Sequence, residues 1–352
     1  MRLLIMAHLL CITACAEEQG CKEPDPGALV ARLASPITLR KAVLRTREAI
    51  IGNLVADSVY NAFNGSPGLG ETGAQPRCKH LDTQPHRCID IAITNAGGLR
   101  SESACGERSE WREGPLFDSD VTQLLPFANA IVAIGVTGRQ LYEAYEQGLS
   151  LLGQPGRFAY GGGFLHSSGA QVMIDCGAQP RVVDEDGKVR SGQVGTRVVM
   201  ICSRRHGDQV GQAPAWEEVR RDDDEQRIYK VGVNSFLAGG GDGFRMWVNE
   251  SADGTLVAQT LVEPASPGTD QGSMHQYLGE LSNGGNDEFD PIARTRLPSA
   301  EEGACVWRLD SSHAAFAALG QDPHCTPSGN QLVCHFDPSS RLTFLRRNLC
   351  YP

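Results

Sequence analysis

Small and apolar positions recur with a helical period along residues 46 to 63. Ile51, Leu54, Val55, Ser58, Val59, Ala62 and Phe63 fall at i, i+3, i+4, i+7, i+8, i+11 and i+12. That spacing lines one continuous face, which predicts an amphipathic helix, and Asn64-Gly65 supplies its stop. A strand is predicted at Ile89 to Thr94, apolar or small except for Asp90, running into the turn Asn95-Ala96-Gly97-Gly98. A short helix near residues 118 to 125 ends at Pro126-Phe127-Ala128-Asn129, ahead of a β-rich run from Ile131 to Val136. Thr137-Gly138 then opens another helix, with Leu141, Tyr145 and Leu149 every fourth residue. Strands are predicted at 171 to 175, 197 to 202 and 228 to 236, and a short helix at 274 to 281 follows a Pro/Gly stretch. Helices and strands interleave throughout, so the fold class is α+β, with mixed α/β layers.

The last fifty or so residues break this pattern. They have few long apolar runs and carry Cys305, Cys325, Cys334 and Cys350, which reads as a small disulfide-stapled C-terminal appendage. Twelve cysteines occur in all. Removing Cys11 and Cys15 of the N-terminal segment leaves ten, an even number that fits five bridges and an oxidising compartment. Proximity suggests Cys78 with Cys88, Cys176 with Cys202, and Cys325 with Cys334. Zinc is the rival use of these cysteines, disfavoured because no CxxC occurs and His324 and His335 lack partners at ligand spacing.

The N-terminus, MRLLIMAHLLCITACAEEQG, runs from an early charge through a short apolar stretch to small residues, the order of an export signal. Ile12-Thr13-Ala14-Cys15 resembles a bacterial lipobox, which makes Cys15 the expected lipidation site. Ordinary cleavage near Ala14 or Ala16 is the alternative, leaving a periplasmic or secreted protein. Either way the expected location is exported, in the cell envelope, with a membrane reached only through the lipid. The 352 residues carry a net charge of -10 without a basic run, so no nucleic-acid polymer is an expected partner. A small anion remains open to isolated arginines. The expected division is a signal and lipobox at 1–15, a tether at 16–39, the main domain at 40–296 and the cysteine-rich tail at 297–352.

Candidate chemistry centres on residues 231 to 244, VGVNSFLAGGGDGF. Gly239, Gly240 and Gly241 permit a tight turn that presents Asp242 on bare backbone, with Phe236 and Phe244 on either side. A carboxylate beside aromatic rings suits a sugar diol and a flat base. Three further segments precede it in order: Arg45-Thr46-Arg47-Glu48 leading to Gly52-Asn53-Leu54, NAGGLR at 95 to 100, and LPFAN at 125 to 129. Together these resemble the 5'-nucleotidase family, and within it the C-terminal, substrate-binding domain, over roughly residues 40 to 296.

The resemblance places phosphate and ribose contacts on Arg45, Asn95 and Arg100, an aromatic base clamp on Phe127 and Phe236, and a ribose-binding carboxylate on Asp242. Arg47, two residues from Arg45, competes for its role. Backbone amides of Gly97 and Gly98 are candidate additional donors. The ligand implied is a nucleotide or nucleoside, AMP-like or UDP-sugar-like. The family's hydrolysis uses a two-metal centre in a separate metallophosphatase domain, and only about forty residues precede the first helix here. No catalytic residue, metal site or cofactor is therefore expected in this chain. Divalent metals enter only with a separate metallophosphatase subunit, and the expected function is recognition, alone or as half of a split phosphohydrolase. A non-binding envelope scaffold is the third reading. Gly285-Asn286-Asp287-Glu288-Phe289-Asp290 looks like the family's GNHEFD with Asp for His, and is read as coincidence.

Overall fold

The computed structural model describes residues 24–64, 88–103, 106–152, 161–183, 192–205, 215–221, 227–250, 256–258, 268–295, 305–337 and 340–350. The export segment with Cys15, most of the tether, and Cys78 lie outside the described residues.

A central mixed sheet is built in the order Ile131–Thr137, Ile228–Asn234, Ile91–Asn95, Leu165–Ser168. The first pair is antiparallel, the middle pair parallel and the last antiparallel. At Gly169, with φ +75°, the chain leaves this sheet and enters a second. There Ala170–Asp175 pairs antiparallel with Val198–Arg205, whose other edge takes Ala215–Glu218. The two sheets share one apolar core that includes Ile93, Ile134, Val172, Ile201, Val233 and Trp247. A third sheet joins Leu29–Leu33 to Gly114–Phe117 and Glu288–Phe289. The mixed layers are those the periodicity predicts.

The long helix is Ile50–Asn64, starting later than expected. Arg45 is not on it: a separate short helix, Lys41–Leu44, ends with Arg45 as its C-cap, and the chain turns before the long helix begins. The strand expected to reach residue 236 stops at Asn234. Its side chain accepts from the Leu237 amide at 2.9 Å and so caps the helical turn Ser235–Ala238. Helix Gly138–Gly148 starts where Thr137-Gly138 predicts, with a reciprocal capping box between Thr137 and Gln140. The later helix is longer than expected, Asp270–Leu281, capped by Thr269.

The cysteine-rich segment is stapled, and largely to the body. Cys325 and Cys334 are bonded, lying directly opposite in an antiparallel pair. Cys176 and Cys202 do not pair with each other: Cys176 bonds Cys350 and Cys202 bonds Cys305. The register explains this. Cys202 sits opposite Gln171, so Cys176 lies five residues further along the strand, about 17 Å away at ~3.3 Å per residue. Cys88 is disulfide-bonded. The last strand, Leu342–Leu345, extends the second sheet in parallel beside Ala170–Asp175.

A buried arginine and a half-buried glutamate fasten it. Arg341, 1% exposed, pairs with Asp57 of the long helix at 2.7 Å and donates to Ser167 O at 2.6 Å. Glu48 accepts the backbone amides of Arg341 and Leu342 at 3.0 and 3.1 Å, the hydroxyl of Ser340, and the side-chain amide of Asn53.

The segment Gly285 to Asp290 has a structural use. Gly285 turns at φ +84° and offers its carbonyl to Arg32 Nε at 3.0 Å, and Glu288–Phe289 is an edge strand.

Candidate functional site

Four loops at the ends of the central strands meet around one cavity of about 360 Å³. Arg45, Asn95, Gly97, Gly98, Arg100, Phe127, Phe236 and Asp242 all line it, joined by Asn129, Gly162 and Asn234. Arg47 does not: it faces a different cavity, beside Glu48, His324 and Arg347. The turn after Leu44 sends two arginines that are near neighbours in sequence into different cavities.

Asp242 is the anchor. Its backbone is left-handed, φ 51° and ψ 23°, a conformation that Asp tolerates better than most residues. Its carboxylate accepts from Asn95 Nδ2 at 2.6 Å, and Asn95 Oδ1 accepts from Asn234 Nδ2 at 3.1 Å. Asn234 therefore serves twice, capping the following turn and orienting Asn95, and the strand ends set all three polar groups.

Gly97 is required by crowding. A Cβ there would lie 2.8 Å from Asp242 Oδ2 and 2.9 Å from Gly162 Cα, inside van der Waals contact. Its amide is not a ligand donor as expected, because it donates to Gly162 O at 2.7 Å. This backbone pairing crosses from the Asn95 turn to the glycines at 161–163 and closes one wall.

Arg100 packs 4.7 Å from the centroid of the Phe127 ring and donates to Gly97 O. Burial, then the neighbouring Arg45 guanidinium, push its pKa down, and Asp242 pulls it back up. Arg45 and Arg100 bring two guanidinium groups to a lining with one carboxylate, a donor set suited to an anionic ligand.

Phe127 and Phe236 are 55% and 48% exposed and line the cavity, with the Arg100 guanidinium over the Phe127 ring and Gly241 close against the Phe236 ring. Phe244 is fully buried, stacked on Trp247 at 5.0 Å. Of the two aromatics beside Asp242, only Phe236 belongs to the site. Asn129 is fixed from behind by Asp270, whose amide donates to its carbonyl at 2.9 Å.

Asn129 and Asn234 lie inside motifs that are visible in the sequence, LPFAN and NSFLAGGGDGF, without standing out as site residues there. Gly162 lies in neither motif, and only its pairing with Gly97 identifies it.

Among the described residues, no group of three or more His, Cys, Asp or Glu is arranged to hold a metal ion. The triplet Asp322-Pro323-His324 has the Asp-x-His spacing of a metal motif, yet it forms a local turn. Asp322 Oδ1 receives the His324 amide and lies 3.0 Å from its Nδ1, and Oδ2 receives the Arg346 amide at 2.6 Å.

An α+β domain with a cationic, aromatic-walled pocket at the ends of its central strands defines a ligand-binding class of protein. Residues 29–249 match the family described as 5'-nucleotidase, C-terminal domain, and the chain belongs to that family. It is 27% identical to the 5'-nucleotidase of Bos taurus over 209 residues, 58% of this chain and 28% of that one. It is 32% identical to a probable 5'-nucleotidase of Treponema pallidum over 161 residues, 45% of this chain and 21% of that one. The solved 5'-nucleotidase precursor of Thermus thermophilus aligns with 72% of this chain and 37% of its own, at 25% identity and a TM-score of 0.46. The chain thus spans less than a third of the length of either of the first two relatives.

Proposed function

We propose that the chain binds a nucleotide or nucleoside at the cavity around Asp242, as the substrate-recognition part of nucleotide breakdown. The observation that carries this reading is that Arg45, Asn95, Arg100, Phe127, Phe236 and Asp242, drawn from four separate segments, line one cavity of about 360 Å³. In this assignment the base stacks against Phe127 and Phe236, Asp242 accepts from the ribose hydroxyls, and Arg45 and Arg100 take the phosphate. Membership of the 5'-nucleotidase C-terminal domain family supports it.

The cavity lining holds one carboxylate and no histidine, a donor set suited to gripping a ligand rather than a pair of metal ions. Phosphoester cleavage is accordingly assigned to a metallophosphatase unit outside the matched segment. Export is part of the same proposal, supported by the charge-apolar-small order of the N-terminus and by bridges such as Cys176–Cys350. Cys15 is the proposed lipid attachment point.

Calorimetric titration with AMP, adenosine and UDP-glucose tests the binding. Saturable uptake of at least one is expected, and Phe236→Ala is expected to weaken it by roughly 1–3 kcal/mol, the usual worth of an aromatic platform under a base. No uptake up to millimolar ligand would end the proposal.

A further inference from the structure

The carboxylate of Asp242 is held by Asn95, but its main chain is held from the other side by a residue that does not line the cavity. Gln147, on helix Gly138–Gly148 and 7% exposed, donates from Nε2 to Asp242 O at 3.3 Å. Arg181, 6% exposed, donates from Nε to Gln147 Oε1 at 3.1 Å. A guanidinium only donates, so this contact fixes which end of the Gln147 amide is oxygen and aims the NH₂ group at Asp242. Gly243, at φ +83°, lets the loop close over that amide: a Cβ there would sit 2.5 Å from Gln147 Nε2.

A left-handed non-glycine residue costs roughly 1–2 kcal/mol and persists only where its surroundings fix it. The Asn95 bond ties down the side chain, and the Phe244 N–H bond to Gly241 O closes the turn on itself without fixing its Asp242 carbonyl to the body of the fold. Gln147 makes that attachment, from helix Gly138–Gly148. We infer that Gln147, oriented by Arg181, is a positioning residue that sets the angle at which the Asp242 carboxylate meets the hydroxyls of the ligand. The inference rests on the nucleoside reading of the cavity for its ligand, though the holding of the loop does not.

Two substitutions separate shape from hydrogen bonding. Gln147→Glu keeps the length and the contact to Arg181 but sets a carboxylate against Asp242 O, and Gln147→Met is neutral and of similar length. Either alone suffices if the other does not fold. The first readout is amide hydrogen exchange over residues 239 to 244 of the free protein, where Phe244 N–H is bonded to Gly241 O at 3.1 Å. Faster exchange there, with the central strands unchanged, is expected. Unchanged exchange overturns the inference.

The second readout compares adenosine with 2',3'-dideoxyadenosine, which lacks the hydroxyls. Wild type is expected to prefer adenosine by roughly tenfold, the value of a hydrogen bond to a charged group, and the variants to lose that preference while dideoxyadenosine affinity holds. An equal loss for both nucleosides means a merely structural role and overturns it. If neither nucleoside binds wild type, the proposed function fails, and the exchange result alone decides the role of Gln147.

Discussion

At the scale of single residues, the site turns on a few side chains in conformations or exposures they would not adopt unaided. Phe127 and Phe236 remain open to solvent although their sequence neighbours Leu125 and Leu237 are buried. Asp242 is left-handed, and so is Ala128, at φ 43°, immediately after Phe127. Unlike Asp, alanine has no side-chain hydrogen bond to offset that conformation. Ala128→Gly removes the Cβ clash at the expense of greater unfolded-chain entropy, and a net gain of up to about 1 kcal/mol is expected. Urea denaturation monitored by fluorescence checks it, and a loss of stability would mean that the Ala128 methyl makes packing contacts outweighing the strain. The polar and aromatic residue types of the site were legible in the sequence because each is suited to a chemical task. The roles of Asn234 and Gly162 were not, because they act through other residues of this chain.

At the scale of elements, the long helix Ile50–Asn64 shows how far periodicity reaches. The apolar face was readable from spacing. The opposite face, however, is covered rather than solvated: Asn53, Asp57 and Asn61 are all buried, meeting Glu48, Arg341 and Glu280 respectively. A polar face normally indicates water, and Arg341 and Glu280, 284 and 219 positions from their partners, cannot be read from a local pattern.

The turn that carries Arg45 is held similarly. Fully buried His166 lies under Gly52, with Nε2 3.0 Å from Leu44 O, so that nitrogen carries the proton. Burial lowers its pKa to about 4 from the ordinary 6.5. Between those values the unfolded chain binds the extra proton. The His166 contribution therefore rises with pH through this window, is complete above about 6.5 and is lost below about 4. Glu146 acts oppositely: burial raises its pKa to about 7 from 4.5, so its contribution falls as pH rises between them. Subtracting His166→Gln stability from that of wild type at each pH isolates the first effect. The difference is expected to grow in favour of wild type from pH 4 to 6.5, by at most ~1.4 kcal/mol per unit. A flat difference would show that His166 is not neutral by burial.

At the scale of the whole molecule, the cysteine-rich segment is a structural part of the body. Its last strand extends the second sheet, and two bridges, spanning 174 and 103 residues, fasten it covalently. Burial pushes the pKa of Asp57 up and Arg341 pulls it down, so the carboxylate depends on its partner. Arg341→Met leaves Asp57 buried without its counter-charge and is expected to cost about 3–5 kcal/mol, with much of this recovered by adding Asp57→Leu. Thermal unfolding of the two single variants and the double checks this, and simple additivity of the losses would show that the pair is not coupled.

By itself the sequence determined the main elements and the α+β class, because residue spacing and turn chemistry act over a few positions, and the family resemblance of its motifs gave eight of the eleven residues around the cavity. Ordered motifs also report which strand ends must converge. Only the tertiary structure decided that Arg45 rather than Arg47 faces the cavity, that Phe244 is core, that Gly97 spends its amide on Gly162, and that Cys176 and Cys202 bond to Cys350 and Cys305. Each of these depends on strand register, on the direction a turn takes, or on contacts between distant segments, none of which local pattern encodes.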